Sequence, residues 1–188
     1  MKSDTYHHGN LKEELIEKGL EYIDKYGSES LSMRKLAESA GVSPGAPYAH
    51  FKNKDAFLSE VRDYITNQFY STLKDATDNC KKPERTLLEL GKSYVIFFYK
   101  NPLYYQFLFS LDNIEIDTYP PFVLFKSEAE GVLGRLYGKR TDESLIHAKV
   151  IALWSMVHGL SKVVTIKGAV DTDHLEEEVE LILGSINV

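Results

Sequence analysis

The sequence predicts an all-α protein, in which a small N-terminal helix-turn-helix domain precedes a larger helical domain. Apolar residues recur at intervals of three and four along almost the whole chain, which is the spacing of amphipathic helices. Glycine or proline stands between most of these runs, where helices commonly end and begin. No stretch shows the two-residue alternation that is typical of a half-buried strand. A chain of 188 residues is long enough for one large domain or for two.

Individual elements follow from this pattern. We predict helices over residues 10–26, 33–40, 43–50, 54–79, 83–100, 102–111, 121–137, 141–167 and 172–186. Ser43, Asn53 and Thr141 are the expected N-caps, and Pro44 is expected at the first position of the third helix. Gly41 is expected to end the second helix with a positive φ.

Composition indicates a folded protein that needs neither a disulfide bond nor a metal ion. Hydrophobic residues make up 43% and charged residues 27% of the chain, which are ordinary globular values. Cys80 is the single cysteine, and the adjacent pair His7 and His8 lacks a third metal ligand in register. We therefore expect no metal site and no cofactor. The polar start MKSDTYHHGN and the absence of a long apolar run predict a cytoplasmic protein without a membrane partner.

The charge of the chain is distributed unevenly. The net charge is −6, but residues 1–54 hold eight basic and eight acidic residues and are neutral. The rest, with 14 basic residues (22 less 8) and 20 acidic residues (28 less 8), carries the whole negative charge. Because binding of phosphates needs local rather than global positive charge, this distribution permits a nucleic acid partner.

The most specific motif is the segment SMRKLAESAGVSPGAPYAHF, residues 32–51. It contains two short helices joined by Ala40-Gly41-Val42-Ser43, which is the spacing of a helix-turn-helix. The spacing alone is also common in ordinary helical bundles, so by itself it leaves both interpretations open. The additional residues Tyr48, His50, Phe51 and Lys54 favour binding to DNA.

These residues resemble the DNA-binding region of TetR-family transcriptional regulators. The resemblance covers about residues 6–57 and consists of Leu36-Ala37, Ala40-Gly41-Val42-Ser43, Tyr48-Ala49-His50-Phe51 and Lys54. It implies a three-helix DNA-binding domain over residues 1–54 and a helical effector-binding and dimerisation domain over residues 55–188. The implied partners are double-stranded DNA, a second copy of the chain and an unidentified small-molecule effector.

The resemblance places the third helix in the major groove. The residues it implies for DNA contacts are Ser32, Arg34, Ser43, Gly45, Ala46, Pro47, Tyr48, His50 and Lys54. Arg34 is the expected reader of a base edge, and Tyr48, His50 and Lys54 are expected to contact phosphates. Pro47 and Ala49 depart from the family pattern, because larger or more polar residues are usual there. This recognition surface is poor in hydrogen-bond donors, which favours thymine methyl contacts, water-mediated contacts and DNA shape.

The C-terminal helices predict a dimer. Residues 145–164 are apolar on every side of a helix, so the helix must be buried on every side. We expect one face to pack in its own subunit and another to pack on a partner. The predicted interface residues are Leu145, Ile151, Val157, Leu175, Val179, Ile182 and Ile186. A twofold dimer would present two recognition helices to a near-palindromic site, with half-sites about 34–36 Å apart.

Aromatic residues concentrate in the middle helices, where they form either a core or a ligand pocket. The predicted pocket residues are Phe97, Phe98, Tyr104, Tyr105, Phe122, Trp154 and His158. The sequence Trp154-x-x-x-His158-Gly159 resembles the Trp-His-Gly signature of one TetR subgroup. Trp154 and His158 lie on one helix face, where they either line a ligand cavity or lock helix packing through an indole–imidazole contact, with Gly159 permitting close helix approach.

Together these features predict a dimeric repressor that an effector releases from its operator, with the helix over residues 54–79 as the connecting lever. The alternative is a helical module for small-molecule binding or protein interaction that no longer binds DNA specifically. An enzyme is not expected, because the chain lacks the common catalytic motifs.

Overall fold

The computed structural model describes residues 11–109, 119–138 and 142–185. Every regular element in these ranges is helical, which confirms the predicted all-α class. The α-helices are α1 (Leu11–Tyr26), α2 (Met33–Ser39), α3 (Lys54–Asn79), α4 (Thr86–Lys100), α5 (Pro102–Phe109), α6 (Pro120–Tyr137), α7 (Glu143–Val163) and α8 (Leu175–Gly184). Short 3-10 helices span Ser28–Ser30, Ala46–Ala49 and Pro83–Arg85.

The chain forms two compact units, Met1–Ile65 and Thr66–Val188. Helix α3 is continuous across this boundary. The assignment of DNA binding to residues 1–54 and of effector binding and dimerisation to residues 55–188 stays a prediction.

The first unit is built around a small apolar core. Leu15, Leu36, Phe51 and Phe57 are almost completely buried, and the Phe51 and Phe57 rings pack edge to face with centroids 5.1 Å apart. Gly19 on α1 faces the Phe57 ring so closely that any side chain there would collide with it. This core holds α1, α2 and the beginning of α3 together.

Two helix ends in this unit follow the sequence closely. Gly41 has φ +67°, which a residue with a side chain rarely adopts, and it ends α2 as predicted. The Asn53 side chain accepts a 2.9 Å hydrogen bond from the Ala56 amide, which confirms Asn53 as the N-cap of α3.

Other predicted boundaries need correction. Residues 43–50 do not form an α-helix capped by Ser43, because only Ala46–Ala49 are helical and their geometry is 3-10. Asp142 caps α7 by accepting a hydrogen bond from the Ser144 amide, and the predicted cap Thr141 lies outside the described residues. Helix α7 ends at Val163 rather than Lys167, and α4 begins after a 3-10 turn at Pro83–Arg85.

The second unit packs α4 against α6, α7 and α8. Its aromatic core centres on Phe69, whose ring lies 5.0 to 5.3 Å from the rings of Tyr94, Phe97 and Phe98. At the rim of this core, the Glu180 carboxylate of α8 forms ion pairs with Arg85 and with Lys92, whose Nζ atom lies 3.0 Å from Glu180 Oε2. These ion pairs connect α8 to α4. Among the described residues, none of the helices combines the length and the apolar character that crossing a lipid bilayer requires.

Candidate DNA-binding surface and ligand cavity

The helix-turn-helix surface is formed by α2 and the segment 43–50. The Ser32 side chain accepts a hydrogen bond from the Lys35 amide at 3.3 Å and so begins α2. After Gly41 turns the chain, the Val42 amide donates to the Ala37 carbonyl at 3.0 Å. These local bonds set the direction in which the chain enters segment 43–50.

Proline explains why segment 43–50 contains only a short 3-10 helix, Ala46–Ala49. In an α-helix, the amide of residue 47 would donate to the Ser43 carbonyl, but Pro47 has no amide hydrogen. The Ser43 carbonyl instead accepts from the Ala46 amide at 2.9 Å, three residues on. The Tyr48 amide donates to Gly45 in the same pattern at 3.1 Å. The missing amide hydrogen of Pro47 therefore leaves this segment with three-residue hydrogen bonds in place of α-helical ones.

Most residues predicted to contact DNA lie on the surface of this unit. Tyr48 is 58% exposed, and Ser32, Arg34, Ser43, Gly45 and His50 are exposed as well. Ala46 and Lys54 are half-buried. Pro47 is the exception, because it is buried and so belongs to the core beneath the surface. The prediction that Pro47 contacts DNA is therefore corrected.

The basic side chains of this surface are held by neighbouring oxygen atoms. Arg34 Nε donates to Glu38 Oε1 at 3.0 Å, and both side chains are well exposed. Lys35 Nζ donates to the Ser30 carbonyl at 2.8 Å, and Lys54 Nζ lies 3.4 Å from the Glu29 carbonyl. Exposed contacts of this kind contribute little to stability, so the cations remain available to phosphates.

In the second unit, His158 lies at the centre of an aromatic cluster. Its Nδ1 atom is 3.2 Å from Tyr94 Oη, and its Nε2 atom is 2.9 Å from Tyr105 Oη. The Trp154 ring stacks on the His158 ring with centroids 4.8 Å apart. The Phe109 ring packs edge to face with the His158 ring, with centroids 4.5 Å apart. The indole–imidazole contact expected from the packing interpretation is therefore present.

Burial keeps the cluster neutral near pH 7. It lowers the pKa of His158, and the nearby Lys162 ammonium group lowers it further. Burial raises the pKa of Tyr105 to about 12 and raises that of Tyr94 well above its ordinary value. Among the described residues, the buried Trp154 Nε1 atom has no acceptor at hydrogen-bonding distance. A neutral imidazole thus donates to one tyrosine hydroxyl group and accepts from the other.

Acid is expected to destabilise the protein through His158. Because its pKa is lower in the folded chain than its ordinary 6.5, the unfolded chain binds more protons as pH falls below about 6.5. The free energy of unfolding should therefore fall between pH 7 and 5, by at most about 1.4 kcal/mol per pH unit from this group. Urea unfolding at several pH values measures this slope, which His158→Gln should reduce.

His174 provides a control of opposite sign. Its hydrogen bond to Asp171, 3.0 Å from Nδ1 to Oδ2, raises the pKa of His174. That contribution is present below about pH 6.5 and is lost as pH rises, so His174→Gln should steepen the loss of stability in acid. An equal slope in wild type and His158→Gln would contradict the assignment.

The predicted ligand pocket is mainly an aromatic core. Phe98, Tyr105 and Phe122 are buried, and the Phe122 ring packs edge to face on Trp154 with centroids 5.1 Å apart. A cavity of about 250 Å³ lies elsewhere in the unit, and none of the seven predicted pocket residues lines it. Its walls come from α4, α6, α7 and α8: Leu87, Leu88, Leu90, Gly91, Phe125, Leu136, Tyr137, Leu153, Met156, Val157, Leu183 and Gly184, with Glu84 beside them.

Gly91 is the signal in the sequence that points to this cavity. A glycine inside an apolar helix marks a close approach, and a Cβ atom at Gly91 would lie 3.1 Å from Leu183 Cδ1 and 3.2 Å from Val157 Cγ1. The concentration of aromatic residues predicted a pocket elsewhere, but most of these residues fill the core.

The residues predicted at the dimer interface differ in how deeply they are buried within one chain. Val157, Leu175 and Val179 are buried inside the single chain, so they support the surface rather than form it, which corrects their assignment. Leu145 is 48% exposed, and Ile151 and Ile182 are half-buried. Ile186 lies outside the described residues. Gly159 is exposed, and nothing in the described ranges lies within 4 Å of a Cβ atom placed there, so it makes no close helix contact with these parts of the chain.

Comparison with known proteins identifies the N-terminal region. Residues 15–61 match the family model described as bacterial regulatory proteins, tetR family. An uncharacterised HTH-type transcriptional regulator of Haemophilus influenzae is 30% identical over 93 residues, covering 50% of each chain. Tetracycline repressor protein class C of Escherichia coli is 39% identical over 69 residues, covering 36% of this chain and 32% of the repressor. The matched regions span half or less of these curated relatives.

Solved structures extend the similarity to the whole fold. The transcriptional regulator FadR of Bacillus subtilis, solved in complex with stearoyl-CoA, has a TM-score of 0.69 at 17% identity. The match covers 93% of this chain and 99% of FadR. The match to a family of regulatory proteins agrees with the expectation that the protein is not an enzyme. The helix-turn-helix region is thus similar to that of tetR-family bacterial regulatory proteins, and the whole chain shares the all-helical fold of a solved transcriptional regulator.

Proposed function

We propose that the protein is a homodimeric, ligand-responsive transcriptional repressor that binds a near-palindromic operator and leaves it when a small molecule binds. The observation that carries this proposal is the helix-turn-helix surface, on which Tyr48, His50 and Arg34 are exposed together on the first unit. The match of residues 15–61 to the family model supports it, because these residues include this surface.

DNA contacts are assigned by the chemistry of each side chain. The Tyr48 hydroxyl group and the His50 ring donate to phosphate oxygens, and Lys54 adds a cation at the beginning of α3. Arg34 on α2 is the side chain that we assign to a base edge. To contact a base, it leaves its ion pair with Glu38. Ser32 and Ser43 contribute hydroxyl groups at the edges of the surface.

The effector site we propose is the cavity beside Gly91. Its lining is mostly apolar, as in ligand sites generally, and Glu84 and Tyr137 supply polar groups. The volume of about 250 Å³ is slightly below the usual ~300–1,000 Å³ of ligand pockets, so a small or partly inserted ligand suits it. Because FadR of B. subtilis binds stearoyl-CoA, a long-chain acyl group is the first probe to test.

The dimer surface we propose is the exposed face of α7, which differs from the set predicted from sequence. Small residues recur there at intervals of three and four: Ala148, Ala152, Ser155 and Gly159. Leu145 and Val163 stand at its two ends, 48% and 42% exposed. Small side chains allow two helices to approach closely, and Leu181 of α8, 68% exposed, adds apolar surface.

Release of DNA follows from linkage between the two sites. An effector weakens DNA binding only as far as it binds the released conformation more tightly than the DNA-bound one. Helices α7 and α8 line the cavity and also carry the proposed dimer surface. Filling the cavity can therefore change the spacing of two recognition segments, which α3 connects covalently to the second unit.

Changes at the phosphate contacts are expected to weaken binding to every DNA sequence alike. Tyr48→Phe removes one hydroxyl donor to a charged phosphate and should cost at least about tenfold in affinity, as a hydrogen bond to a charged group contributes about 1.5–3 kcal/mol. Lys54→Ala should lower the slope of log K against log salt by about one per half-site. Fluorescence anisotropy over a salt series measures both. A loss confined to one base position would contradict the phosphate assignment.

Selection from genomic fragments with the full chain tests the function as a whole. Discrete, palindromic fragments that bind in a strongly salt-dependent manner are expected. Titration with long-chain acyl-CoA, with CoA alone as the control, then tests the effector. If no fragment is enriched, DNA binding fails and the alternative of a non-DNA-binding module gains support. If fragments bind and acyl-CoA has no effect, only the effector class is wrong.

A further inference from the structure

We propose that residues 43–50 recognise thymine through its 5-methyl group, so that the bases beneath this segment are mainly A·T pairs. The inference rests on the proposed DNA-binding function and adds to it the base feature that the surface reads. It concerns specificity, whereas Tyr48, His50 and Lys54 account for affinity.

The side chains of this segment cannot make the common hydrogen-bonded readouts. Guanine and adenine are usually read by bidentate contacts from arginine, lysine, asparagine or glutamine. None of these residue types occurs between Ser43 and Phe51. What the exposed residues Pro44, Gly45 and Ala49 present to a groove is hydrocarbon or bare backbone. The thymine methyl group is the base-edge feature that such a surface matches.

Packing beneath the segment directs this apolar surface outward. Pro47 and Phe51 are buried in the core of the first unit. The Pro47 carbonyl accepts from the His50 amide at 3.1 Å and from the Phe51 amide at 2.9 Å, which closes the turn and holds Tyr48 and Ala49 on the solvent side. The space around Gly45 is open, so DNA can approach the backbone closely there.

Readout of DNA shape would also favour A·T pairs, but it makes a different prediction. A narrow minor groove or an easily deformed step attracts a protein without any contact to the methyl group. Deoxyuridine separates the two explanations, because it keeps the hydrogen-bonding edge of thymine and lacks the methyl group. A preference that depends on the methyl group therefore indicates direct readout of the thymine base rather than of DNA shape.

The test uses the full-length protein and the fragments enriched in the genomic selection. Each thymine of one half-site is replaced in turn by deoxyuridine, and the dissociation constant is measured by anisotropy. At one or more positions we expect about fourfold weaker binding, the effect of losing one buried methyl-sized contact. Replacement of thymines in the flanking DNA should have no effect and serves as the control.

A variant assigns the effect to the segment. Ala49→Gly should bring the thymine-to-uracil affinity ratio at a sensitive position towards one, whereas Ala169→Gly, exposed in the second unit, should leave it unchanged. Because the ratio is measured within one variant, a loss of folded protein does not alter it. Equal binding of thymine and uracil at every position overturns the proposal. Failure to enrich any fragment overturns DNA binding itself and this inference with it.

Discussion

Replacing Ala152 with arginine is expected to convert the dimer to monomers and to weaken operator binding at least about a hundredfold. Ala152 is exposed in the middle of the α7 face, between Ala148 and Ser155. Two copies of the charged side chain would meet across a twofold axis, where neither has a partner. A dimer that binds two half-sites has an affinity about 10²–10⁴ times higher than that of a monomer bound to a single half-site. Sedimentation velocity and anisotropy measure the two effects.

Ser71→Arg is the matched control for this prediction. Ser71 is exposed on α3, a different helix from α7, and its replacement adds the same charge to a helix surface. Arginine is a good helix former, so both variants should keep their helical content. A dimeric Ala152→Arg protein with wild-type affinity would place the dimer surface elsewhere on the molecule.

Replacing Gly19 with alanine is expected to destabilise the first unit by about 2 kcal/mol, within the range for overpacked cores. A Cβ atom at Gly19 would collide with the tip of the Phe57 ring and lie 3.1 Å from Leu36 Cδ1. Phe57 is completely buried and packs edge to face on Phe51, so the ring has little room to move. Urea unfolding monitored by circular dichroism measures the change.

Gly134→Ala is the matched control and should have the opposite sign. Gly134 also lies inside a helix, α6, but nothing stands within 4 Å of a Cβ atom built on it. There the higher helix propensity of alanine should stabilise the protein by up to about 1 kcal/mol. If both substitutions stabilise the protein, the close contact between α1 and Phe57 is not the reason for Gly19.

Local sequence patterns predicted most of the helices because their causes are local. The cap at Asn53, the positive φ at Gly41 and the extent of α3 follow from residues close to one another in the chain. The third helix was wrong for a reason that is also visible locally. Pro47 and Pro44 together remove amide hydrogens, and the segment closes with three-residue hydrogen bonds instead.

The candidate sites were predicted less completely, because composition does not say which aromatic residues touch one another. His158 is fixed by Tyr94 and Tyr105, which precede it by 64 and 53 residues. Residues from four helices line the cavity beside Gly91, and no pattern within a single helix predicts it. Likewise, the periodic pattern placed Val157 and Val179 on an apolar helix face and predicted them at the dimer interface. Whether that face is buried inside one chain depends on which helices pack against it.

Chemistry between neighbouring residues thus determined the all-helical class, the turn at Gly41 and which side chains we propose to contact DNA. Packing between distant segments alone decided that Pro47 faces inward, that His158 is closed in by two hydroxyl groups, and that α7 leaves a face of small residues exposed. The physical reason is that helix formation depends on neighbours three or four positions apart, whereas burial depends on contacts that the chain makes only after it has folded.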